Sequence, residues 1–142
     1  MPLPFVTRAA LTACAALVAG GAAAQAPTPT RTPLAVLPIS PGKAVTRVET
    51  TRVDFAPGQA MPRHKHSVPV VCFVTHGDFL VKIGDAPERR AAEGTVTLER
   101  PGEVVQYFRN ASAASPAQLQ CASLAGDEDK VLNVMLDGAT PP

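Results

Sequence analysis

His64 and His66 stand one residue apart in the stretch PRHKHSVPVV, with five residues between Gly58 and His64. Neutral imidazole is the commonest protein metal ligand. On an extended strand, a side-chain period of two puts both rings on one face and Lys65 on the other. Rings so placed can converge on one ion, but two ligands alone hold it weakly and need partners. The plain alternative is a pair of exposed histidines in the polar run Arg63 to Ser67. The third histidine, His76, lies six residues past Val70. That is about 20 Å along an extended strand, too far to complete the pair. Cys72, with Met61, could add soft donors suited to copper or zinc, or Cys72 could be a small buried hydrophobe. Arg63 could meet an anionic ligand beside the histidines or simply be solvated. Glu49, Asp54, Glu99 and Glu103 form no acid–base pair recognisable from spacing, and read as the solvent faces of strands and turns. The sequence carries no Gly-x-Ser-x-Gly elbow and no phosphate-cradling glycine loop, and it assigns no catalytic residue.

Short strands must position these groups. Val45 to Phe55 is rich in Val and Thr and ends at Pro57-Gly58. Val70 to Thr75 is a continuous β-branched and aromatic run, stopped by His76-Gly77-Asp78. Phe79 to Ile83 alternates, and Gly84-Asp85-Ala86-Pro87 turns the chain. Thr95 to Leu98, Val104 to Phe108, Gln118 to Leu124 and Val131 to Leu136 complete seven runs, with no amphipathic helix among them. Fifteen prolines and ten glycines in 142 residues supply the turns. This pattern predicts a single all-β domain, a sandwich or barrel. Thirteen basic and 12 acidic side chains, without a basic stripe, argue against nucleic-acid binding.

The N-terminus reads as an address. Arg8 precedes an Ala/Gly-rich apolar run too short to span a membrane, and Ala22-Ala23-Ala24 before Gln25 has the small-residue pattern of a cleavage site. Residues 1–24 are expected to be a secretory signal, which implies a periplasmic or secreted protein. A lipoprotein signal at Cys14 is the alternative. Residues 25–43 are proline-rich and expected to be extended, although LAVLPIS could form a first irregular strand. The domain proper is expected over 44–137, with a tail over 138–142. Export would leave Cys72 and Cys121 in an oxidising compartment, where they could form a disulfide or stay buried thiols.

Gly58, His64, His66 and Gly77 together resemble the first motif of the cupins, G-x5-H-x-H-x3,4-E-x6-G. The segment EGTVTLERPGEVVQYFRN resembles their second motif, G-x5-P-x-G-x2-H-x3-N, through Gly94, Pro101 and Asn110. The resemblance covers roughly Val45 to Leu136. It implies a jelly-roll barrel, a double-stranded β-sandwich, with a small-molecule pocket lined by Met61, Val70, Cys72 and Tyr107. It also implies a divalent transition-metal site. Two departures bear on that site. Val70 stands at the family's glutamate position. The last histidine position falls on Gln106 when Pro101 and Asn110 are the anchors, or on Val105 when the glycines are. Gln106 is the preferred alignment, and its amide oxygen is a poor partner for zinc or iron. The resulting expectation is a small-molecule-binding cupin with a two-histidine remnant whose metal is weak or absent. Its alternative is a metal-dependent oxygenase or isomerase. Homodimerisation is implied by the resemblance alone.

Overall fold

The computed structural model describes residues 30–39 and 44–138, and every regular element among them is a strand. All seven predicted runs form strands: β1 (Arg47–Phe55), β4 (Val70–His76), β5 (Phe79–Ile83), β7 (Val96–Glu99), β8 (Val104–Asn110), β9 (Ala117–Ala125) and β10 (Asn133–Met135). Three short strands join them: β2 (Ala60–Met61), β3 (His64–His66) and β6 (Arg89–Ala91). The signal expected over 1–24 and residues 139–142 lie outside the described residues. Residues 30–39 carry no regular secondary structure, so no strand forms at Leu34 to Ile39. Proline there removes a ladder donor. No helix among the described residues is long and apolar enough to cross a membrane.

The strands form two antiparallel sheets. One has the order β1-β9-β4-β7, and the other β10-β3-β8-β5-β6 with β2 paired to β8. Pleating sends alternate residues of each strand to the inner face. On the first sheet this builds rows across neighbouring strands. Glu49, Ser123, Val70 and Glu99 make one row; Thr51, Cys121, Cys72 and Thr97 make the next; Val53, Leu119 and Val74 follow. Polarity falls along that order, from carboxylates at one end to the apolar floor at the other.

Phe55, Val74, Phe79, Val81, Val105, Phe108 and Leu119 close the floor between the sheets. Phe79 meets Phe55 and Phe108 edge-on, with ring centroids 5.0 and 5.5 Å apart. Gly77 makes the tight turn after β4 at φ 72°, a conformation that favours glycine. A Cβ there would lie 2.9 Å from Ala117 Cβ. Cys72 and Cys121 face each other on β4 and β9 and are joined by a disulfide, with Cα atoms 4.0 Å apart.

Candidate metal centre

Strand β3 sits between β10 and β8, with His66 opposite Asn133 and His64 opposite Val105. Both histidines share a face, as their spacing predicts, and that face turns inward: His64 is 5% exposed, and both line a cavity of about 240 Å³ between the sheets. Their rings lie 4.9 Å apart and nearly perpendicular. The histidine tautomers follow from their partners. His64 Nδ1 lies 2.8 Å from the carbonyl oxygen of Pro62, and His66 Nδ1 lies 3.2 Å from that of Leu132. A carbonyl can only accept, so each Nδ1 carries the hydrogen and each neutral ring presents a bare Nε2 to the cavity.

Glu99 lies across from those nitrogens. Its Oε2 is 2.7 Å from His66 Nε2 and 3.7 Å from His64 Nε2. The carboxylate is 4% exposed. Its other oxygen lies 3.6 Å from Cys72 Sγ, which as a disulfide sulfur has no hydrogen to donate. A bare imidazole nitrogen and a carboxylate oxygen both present lone pairs. They approach within hydrogen-bond distance only around a proton or a metal cation. Burial pushes Glu99 toward its neutral form, but hydrogen bonds from His64 and His66 and their charges outweigh it, holding its pKa below the ordinary value. For His64, burial acts downward and is outweighed by Glu99 and the Pro62 carbonyl, so its pKa is raised.

The donor set suits a metal ion. Two imidazole nitrogens and one carboxylate oxygen lie within 4.8 Å of one another. Ligand bonds of 2.0–2.2 Å at right angles place donors about 3 Å apart, and the nitrogen–oxygen separations here straddle that value. A two-histidine, one-carboxylate set with open positions is the arrangement of non-haem iron(II) sites, and nitrogen ligands also suit zinc, copper and nickel. His64, His66 and Glu99 would hold the ion, and the cavity side of the cluster would be left for water or ligand.

The carboxylate comes from β7, not from β4. Val70 occupies the position where the sequence motif has glutamate, and its registered neighbour across to β7 is Glu99. Val70 is buried and lines the cavity beside it. Reading Glu99 as solvent-facing is therefore corrected. In β7 the polar residues Thr97 and Glu99 point inward and are buried, while Val96 and Leu98 point outward. Inverted alternation of this kind was the available sequence signal. Leu98 shares a shallow groove with Pro38, Ile39, Pro69 and Pro101, so its outer side is not bare.

Met61 and Cys72 also line the cavity, whereas Gln106 and Tyr107 do not. A bulge explains the difference. Lys82 pairs with Tyr107 and Ile83 with Val105, which leaves Gln106 as the extra residue on β8. Gln106 Oε1 accepts a hydrogen bond from Arg63 Nε at 3.0 Å, and the Tyr107 hydroxyl donates to Glu88 outside the cavity. Val105, fully buried, faces His64 instead. The inward place thus falls on Val105, as the glycine anchors have it, while Asn110, the anchor of the other alignment, is buried and Arg109 is exposed, because the bulge lies between them. Arg63 is engaged with Gln106 and with Asp137, 3.2 Å away, and does not line the cavity. His76 pairs at 3.6 Å with Glu93 on the surface. The disulfide removes Cys72 as a thiolate donor.

No protein-family model and no curated protein matches the chain. Solved structures do. An oxalate oxidase in complex with the substrate analogue glycolate aligns at TM-score 0.55 and 23% identity, over 63% of this chain and 46% of that one. A conserved protein with a double-stranded β-helix domain from Klebsiella pneumoniae aligns at TM-score 0.54 and 16% identity, over 63% of this chain and 75% of that one. The DMSP lyase DddQ from Ruegeria pomeroyi aligns at TM-score 0.54 and 18% identity, over 65% of this chain and 45% of that one. The chain therefore spans less than half the length of the oxidase and the lyase. These likenesses identify the fold as a double-stranded β-helix.

Proposed function

On a cupin-fold barrel that brings two histidines and a glutamate to one point, we propose a metal-binding protein that admits a small organic molecule beside the ion. The convergence of His64 Nε2, His66 Nε2 and a Glu99 oxygen within 4.8 Å carries this reading. The ion belongs to the divalent first-row series, and when bound it supplies Lewis acidity or redox chemistry. The chain's own residues do the rest. Pro62 and Leu132 carbonyls hold the imidazole tautomers, Glu99 neutralises charge, and apolar side chains such as Phe55 and Phe108 line the inner part of the cavity.

A metal-dependent enzyme, an oxygenase or isomerase, is the second reading. It is favoured by the open side of the cluster, which faces a cavity large enough for a reactant. Export to the periplasm or medium is part of the proposal. The N-terminal signal-like sequence supports it, and so does the Cys72–Cys121 disulfide, since such bonds persist in oxidising compartments. Homodimerisation belongs to the same reading.

Elemental analysis of the untagged purified chain after loading with zinc, manganese or iron(II) tests the proposal. One ion per chain, lost in a His64→Ala/His66→Ala variant that remains folded by circular dichroism, is expected. No bound metal in the loaded parent would reject it.

A further inference from the structure

Cys72 lies against the third member of the metal cluster. Its Sγ is 3.6 Å from Glu99 Oε1, while the other oxygen of that carboxylate faces the two imidazoles. Cys72 is 2% exposed and lines the same cavity as His64, His66 and Glu99. Pleating explains the placement. Val70 and Cys72 both point inward on β4, and their registered neighbours on β7 are Glu99 and Thr97. One bond keeps this sulfur from acting as a donor, the disulfide to Cys121 on β9. A disulfide sulfur carries no charge and binds metals poorly, whereas a thiolate is a strong, soft ligand.

We propose that reduction of the Cys72–Cys121 disulfide makes Cys72 a fourth metal ligand and turns the site toward thiophilic ions such as zinc and cadmium. The inference rests on the reading of His64, His66 and Glu99 as a metal centre, and adds the residue that sets which metals it prefers. The reductant is a dithiol. It passes two electrons and two protons to the S–S bond, leaves as its own disulfide, and produces the Cys72 and Cys121 thiols. On metal binding, Cys72 Sγ gives its proton to solvent and a lone pair to the ion. With the bond closed, the cluster offers two nitrogens and one carboxylate, the set of iron(II) sites. With it open, two nitrogens, an oxygen and a sulfur make the four-donor set that zinc favours. The coupling is reciprocal, so an ion held by Cys72 also protects that thiol from reoxidation.

Single-cysteine variants separate the two sulfurs. Cys121→Ala leaves Cys72 as a free thiol without any reductant. Cys72→Ala leaves only Cys121, which sits on the far side of β4 from Glu99. Each full chain is titrated under argon with cobalt(II), followed by absorbance, and with cadmium and manganese, followed by calorimetry. The oxidised parent is expected to bind cobalt(II) without a sulfur-to-metal charge-transfer band. That band should appear in Cys121→Ala, and in parent reduced by a dithiol that is then removed by gel filtration. Both forms should bind cadmium at least about tenfold more tightly than the oxidised parent, with manganese affinity changed less than about threefold. No band in either thiol-bearing form, an unchanged cadmium affinity, or an equally strong band in Cys72→Ala would overturn the proposal. The reduced parent, its thiols confirmed by titration, decides the matter if Cys121→Ala does not fold. Cobalt(II) bound by the parent with no band after reduction contradicts this inference alone. No cobalt(II) bound in any form contradicts the metal reading itself.

Discussion

His64 and Glu99 lie 3.7 Å apart in buried space, and each shifts the other's titration. Glu99's lowered pKa contributes stability that is fully present above its ordinary value of 4.5 and is lost as pH falls through the folded value. His64's raised pKa contributes stability fully present below its ordinary value of 6.5 and lost as pH rises through the folded value. In the metal-free chain both contributions are complete between 4.5 and 6.5. Calorimetric Tm in chelator is expected to peak in that window. A Tm that rises steadily from pH 6.5 to 8 would contradict the protonated pair. Metal reverses the upper limb, because an ion competes with protons for the same nitrogens. The Tm gain on adding zinc should therefore grow as pH climbs above 6.5. At this scale the sequence was half legible. The spacing of His64 and His66 announced their shared face, whereas Glu99 could not be found by counting along the chain. Its place beside Val70 depends on which strand lies next to β4.

Strands and turns carry a second set of expectations. The disulfide ties β4 to β9 across a sequence separation of 49 residues. A closed loop of that length confines the unfolded chain by about 4 kcal/mol in the chain-entropy estimate. Denaturant titration of a Cys72→Ala/Cys121→Ala variant should show a loss of roughly 2–4 kcal/mol. A loss below about 0.5 kcal/mol would show that the cross-link adds little beyond sheet pairing. Gly77→Ala combines a left-handed φ with a 2.9 Å approach to Ala117. It should cost about 1–3 kcal/mol by the same measurement. Element identity was the most legible level, since alternation and turn residues marked all seven long runs. Parity failed on β8. The bulge on β8 inserts Gln106 and turns Tyr107 to the outer side, and spacing from Pro101 to Asn110 counts residues without seeing that insertion.

Across the whole molecule, two sheets divide the labour. One supplies the carboxylate and the disulfide, the other supplies both imidazoles, and the apolar floor holds the two in register. Strand count predicted a sandwich or barrel and the family resemblance implied the jelly roll, but the composition of the site depends on pairings between residues tens of positions apart, and only the folded sheets display those. The proposed metal centre depends on Glu99 completing what His64 and His66 begin. Isothermal titration of zinc into the full chain and into Glu99→Ala, with Glu49→Ala as a control, tests this most directly. The parent and the control are expected to bind one ion with similar affinity, and Glu99→Ala to bind at least tenfold more weakly. Undiminished affinity in Glu99→Ala would contradict the three-donor site.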